Sequence, residues 1–85
     1  MKLDRNVNPD GLGKYALFNL RTNTVEWGVA YSDDEFFVLK LKDCYASAAL
    51  YAYARAAEAD DPEYAAEVRV LAQRAHNHPG SKLPD

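Results

Sequence analysis

Cysteine is almost missing from this chain of 85 residues; Cys44 is the single one. Its solitude excludes an intramolecular disulfide framework and any zinc site built on several cysteines, and it fits a reducing compartment. Histidine is equally scarce: His76 and His78 lie together near the C-terminal end, so no Ser-His-Asp arrangement is evident. No run approaches the ~18 consecutive apolar residues of a membrane span. The first residues, Met1-Lys2-Leu3-Asp4-Arg5-Asn6, lack the apolar centre of a signal peptide. A cytoplasmic protein with no membrane partner is therefore expected. A basic stripe able to track a phosphate backbone is also missing. Residues 1–30 carry four basic and three acidic side chains, and residues 43–85 four basic and seven acidic. Nucleic acid is not an expected partner.

What is present is an ordinary globular composition. Apolar residues make up 48% and charged residues 27%, too apolar for intrinsic disorder. One small domain spanning 1–85 is expected, with little stability to spare at this length.

Along the chain, residues 1–13 read as loop-like, because Asn6, Asn8, Pro9, Asp10, Gly11 and Gly13 are turn formers. Residues 14–21 alternate, with Ala16, Phe18 and Leu20 on one face and Tyr15, Leu17 and Asn19 on the other. Thr22-Asn23 is the expected hairpin turn. Residues 24–31 alternate again, with Val25, Trp27, Val29 and Tyr31 on one side. Ser32-Asp33-Asp34 reads as the next turn, and residues 36–42 as a third strand rich in aromatic and branched side chains. Asp43 then predicts a helix cap before an Ala- and Tyr-rich helix over about 44–59. Asp61-Pro62-Glu63 is a second helix start: a capping carboxylate, proline at the first helical position, and an acid favourable to the dipole. Tyr64, Val68, Leu71 and Ala75 predict its apolar stripe. It should end near His76-Asn77-His78, before an extended tail over 79–85.

The expected fold is α+β: a three-stranded antiparallel sheet (β-β-β) followed by two helices packed on one face. Two helices cover one sheet face only. Leu17, Phe36 and Val38 are then left outward, and the first helix carries Tyr51 and Tyr53 on opposite sides. These five are the candidate interface residues, and they point to a homo-oligomer or another bound partner.

Few motifs carry chemistry. Oxygen-bearing side chains alternate from Asp4 to Asp10, as in the first half of a calcium loop. Pro9 stands where that loop needs Gly, and Tyr15 where it needs Glu. Gly11-Leu12-Gly13-Lys14 lacks the spacing of a phosphate loop, although a Gly-rich turn beside Arg5 and Lys14 can hold an anion. Arg5, Lys14 and Tyr15 are thus candidate ligand-binding residues. His76 and His78 have no third ligand by spacing, so no metal or other cofactor is expected. Cys44 would occupy the first helical turn, where a thiol is activated, yet no histidine is near it in sequence. The acids from Glu58 to Glu67 read as caps and solvated surface. No catalytic set emerges, and a non-enzymatic role is expected.

Several runs resemble a family of small uncharacterised proteins of tailed bacteriophages and prophages. They are Lys2-Leu3-Asp4-Arg5-Asn6, Gly13-Lys14-Tyr15-Ala16-Leu17, Asp34-Glu35-Phe36-Phe37-Val38-Leu39-Lys40-Leu41-Lys42-Asp43 and Asp61-Pro62-Glu63-Tyr64-Ala65. The resemblance implies an accessory protein made in an infected bacterial cytoplasm and acting by binding a host or phage protein, for instance to inhibit a defence system. The alternative is a small-ligand binder that sequesters an anionic metabolite or signalling nucleotide.

Overall fold

A computed structural model describes residues 14–83. The order of elements is strand β1 (Leu17–Asn19), strand β2 (Thr24–Glu26), helix α1 (Ala46–Ala57) and helix α2 (Pro62–His76). The class is α+β, with one two-stranded antiparallel sheet and two helices. The described residues fall into two compact units, 14–38 and 39–83. The expected turn at Pro9-Asp10-Gly11, the calcium-like spacing and the Gly-rich anion turn lie outside the described residues.

In the first unit, β1 and β2 pair in the register Leu17 to Glu26, Phe18 to Val25 and Asn19 to Thr24. The connection is longer than the expected two residues, running through 20–23, and Asn19 explains it. Its Oδ1 accepts from the amides of Arg21 (3.0 Å) and Thr22 (3.1 Å), while its carbonyl accepts from the Asn23 amide at 2.8 Å. Asn23 takes a left-handed φ of 58°, a conformation asparagine tolerates better than most side chains.

The second strand stops at Glu26, not at Tyr31 as the alternation predicts. Gly28 turns the chain with a φ of 63°, and Tyr31 follows with 69°. Tyr31 sits in a turn closed by the Ser32 amide donating to the Val29 carbonyl at 3.0 Å, and the next turn is where Ser32-Asp33-Asp34 predicts one, closed by the Glu35 amide donating to the Ser32 carbonyl at 3.2 Å. The third strand does not form. Residues 35–40 carry no regular secondary structure. A pleated apolar run becomes a strand only if a ladder partner reaches it, and the two left-handed turns carry the chain out of the hairpin's path first. Phe36 instead lays its ring against Gly28, whose absent side chain leaves the space.

The second unit is a helical hairpin. Asp43 lies ahead of α1 rather than capping it. Its Oδ1 accepts from the Tyr45 amide at 2.8 Å, and the helix begins at Ala46 with Tyr45 in the cap position and no side-chain cap bond. Cys44 is therefore exposed before the helix and outside its first turn. The tail over 81–83 is tied down. Lys82 bridges Asp43 in parallel, with the Cys44 amide donating to the Lys82 carbonyl and the Lys82 amide to the Lys42 carbonyl. Helix α2 starts as its sequence predicts: Asp61 accepts from the Tyr64 amide at 3.1 Å and Pro62 opens the first turn.

The seam between the helices differs from the expected stripe. Ala65, Val68, Ala72 and Ala75 are buried on α2, against Ala46 and Ala54 on α1, with Leu50 and Ala57 partly buried beside them. Tyr64 and Leu71 stay exposed. Spacings of three, four and three keep the seam on one face. Alanines let two helix axes approach at the short end of the usual range.

Candidate binding surface

The apolar side chains of this protein are arranged by size. Among the described residues the buried apolar side chains are alanines apart from Val68. Many of the large ones lie outside: on the hairpin the cross-strand pair Phe18 and Val25 is exposed, and so is Trp27 just past β2, by 55%. Phe18 and Leu20, expected to face the helices, are among the exposed ones. Tyr31 is 95% exposed. It stands at the third position of the 29–32 turn with a positive φ, where glycine or asparagine is usual and an aromatic side chain is strained.

The expected interface residues divide between the units. Leu17 is exposed on β1 beside Glu26, while Phe36 and Val38 are half-buried in 35–40. Tyr51 and Tyr53 both reach α2. The Tyr51 hydroxyl donates to Gln73 Oε1 at 2.9 Å. Tyr53 shares a 3.0 Å hydrogen bond with the Tyr64 hydroxyl, the two rings meeting edge to face with centroids 6.0 Å apart. Tyrosines on opposite sides of α1 thus hold both flanks of the seam, their outer ring faces still in solvent.

The Tyr53 contact alters Tyr64. The hydrogen bond with Tyr53, helped by the neighbouring Tyr53 charge and by Asp61 and Glu67, raises the Tyr64 pKa above the usual tyrosine range. A raised value favours the neutral phenol, so this contribution to stability is complete below the unfolded-state pKa and disappears as pH rises through the folded one. Replacing Tyr53 with Phe removes the hydroxyl partner. In a spectroscopic alkaline titration the Tyr64 transition should then move to lower pH; an unmoved transition would show that the pair does not exist in solution.

Of the expected ligand-binding residues, Lys14 and Tyr15 come together: the Lys14 ammonium stands 5.6 Å from the Tyr15 ring centroid, within cation–π range. Arg5 lies outside the described residues. Cys44 is exposed ahead of α1. The His78 Nδ1 accepts from the Gly80 amide at 3.0 Å, and the described residues hold no group of three or more side chains suited to a metal. The acidic corner is structural where it is engaged: Asp61 caps α2 and Glu58 pairs with Arg69. Among the described residues no helix is long and apolar enough to cross a membrane. An open groove of about 470 Å³ lies at the C-terminal end of α2, lined by Val70, Gln73, Arg74, Asn77, His78 and Pro79. Neither this groove nor the exposure of Trp27, Tyr31 and Val70 follows from hydropathy. The signal that was there is the alanine content of both helices, which leaves the large side chains without places in the seam.

No protein-family model, curated protein or solved structure matches the chain.

Proposed function

We propose that this is a non-enzymatic accessory protein of the bacteriophage type, which acts by binding in the host bacterial cytoplasm. It forms a homo-oligomer and engages a host or phage protein. One observation supports this above the others: among the described residues the buried apolar side chains are alanines and Val68, while Phe18, Trp27, Tyr31, Phe37 and Tyr45 are exposed. Aromatic side chains in water cost solvation free energy unless they are covered, and they are the residue types that dominate binding surfaces. The phage setting rests on the sequence runs that resemble those proteins.

Native mass spectrometry of protein purified without denaturation tests the proposal. A bare homo-oligomer is expected, and a monodisperse monomer in water would overturn it. An oligomer carrying a stoichiometric extra mass would replace it with the small-ligand alternative, an anionic metabolite or signalling nucleotide held by residues such as Arg5, Lys14 and Tyr15.

A further inference from the structure

Helix α2 carries a second stripe, pointing away from its alanine seam. Glu63, Glu67, Val70 and Arg74 follow one another at helical spacings of four, three and four, and all are exposed. Val70 is 57% exposed, and Leu71 beside it 38%. Arg69 already has an acid, Glu58. Glu63, Glu67 and Arg74 have no ion-pair partner among the described residues.

The stripe is self-complementary. Glu67 precedes the Val70-Leu71 midpoint by as many residues as Arg74 follows it. Two such helices laid antiparallel about that midpoint place each Glu67 against the partner's Arg74, and each Glu63 beyond the C-terminal end of the partner's α2. Val70 lies level with the partner's Leu71 at the centre, and Leu71 with the partner's Val70. In the same register the acidic first half of the second α2 passes over the open groove that holds Arg74 and His78. One wall of that groove is fixed, because Gln73 accepts the Tyr51 hydroxyl. Two-fold contacts are reciprocal by symmetry, so every favourable pair counts twice.

We propose that a second copy of this chain docks on the outer face of α2, antiparallel and two-fold, in the register that pairs Glu67 with Arg74. The inference deepens the homo-oligomer reading above and rests on it. The apolar centre is small, so the charges set register and partner choice more than affinity.

Sedimentation equilibrium on the whole chain provides the test, with wild type, Glu67→Arg, Arg74→Glu, both substitutions in one chain, and an equimolar mixture of the single variants. All positions are exposed, and retained helical circular dichroism verifies the fold. Each single substitution turns two attractive contacts into two repulsive ones, so the dimer dissociation constant should rise by about tenfold or more. The mixture should form a heterodimer and the double variant a homodimer, each near wild-type affinity. A wild-type oligomer indifferent to both single substitutions, or single variants weakened without rescue, would overturn this register and leave self-association standing. A wild-type monomer would overturn both.

Discussion

Replacing Gly28 with Ala is expected to destabilise the hairpin unit by about 2–4 kcal/mol, from backbone strain and steric conflict acting together. Gly28 is buried with a φ of 63°, where an L side chain costs ~1–2 kcal/mol. A Cβ built there would meet the Phe36 ring at 2.4 Å from Cε2 and 2.6 Å from Cδ2. Ordinary contact begins about a full ångström further out, so the ring, the backbone or both must move. Trp27, the chain's single tryptophan, is the adjacent residue, and its fluorescence reports this neighbourhood during urea unfolding. With a slope of about 1 kcal/mol per molar urea for a small protein, the midpoint should fall by about 2 M or more. The two causes separate in a Phe36→Ala background. There the steric part is gone, and the same glycine substitution should cost only its backbone strain, about 1–2 kcal/mol. An equal cost of the glycine substitution with and without Phe36 would mean that the ring does not lie on Gly28 in solution, and an unchanged midpoint in both would mean that Gly28 does not hold its positive φ.

Gly28 also shows where sequence patterning stops. The alternation of Val25, Trp27, Val29 and Tyr31 is real, yet β2 ends at Glu26, because backbone conformation at Gly28 and Tyr31 overrides side-chain period. Residues 36–42 have the composition of a strand, which also requires a partner strand to form a ladder. That partner is a non-local requirement, which no local pattern encodes. The start of α2 was legible for the opposite reason: Asp61, Pro62 and Glu63 act on their own first turn, so local chemistry decides the outcome. The seam was legible only by half. Val68 and Ala75 belong to it, but Ala65 and Ala72 take the places expected for Tyr64 and Leu71. Hydropathy favours the larger side chains, whereas close helix approach favours the smaller ones. Tyr51 and Tyr53 could be read as surface aromatics because the first helix is apolar all round. Their bonds to Gln73 and Tyr64 depend on which way the second helix returns. The Glu67 and Arg74 spacing is visible in the sequence, and it takes on meaning only once the seam shows which face of α2 is outermost.

The alanine seam leads to the other large effect. Ala65 is fully buried in the cluster with Ala54 and Val68, whereas Ala66, one residue on, is exposed. Leucine at either position costs little helix propensity, so the difference between Ala65→Leu and Ala66→Leu isolates the packing. Three extra carbon atoms at position 65 have nowhere to go except between the helices. Overpacking of a close-packed interior costs about 1–3 kcal/mol; at position 66 the change should stay within about 0.5 kcal/mol. Thermal unfolding followed by helical circular dichroism reads both. At about 4–8 °C per kcal/mol for a domain of this size, the buried variant should melt roughly 4–24 °C lower and the exposed one close to wild type. A second readout follows from the geometry. Pushing the axes apart stretches the Tyr53–Tyr64 hydrogen bond, which stands at 3.0 Å. The Tyr64 titration should therefore return toward the ordinary tyrosine range in Ala65→Leu and stay raised in Ala66→Leu. If Ala65→Leu instead melts at or above the wild-type temperature, the seam has spare volume. The close approach that keeps large side chains out of it, and so leaves the aromatics at the surface, would then be wrong.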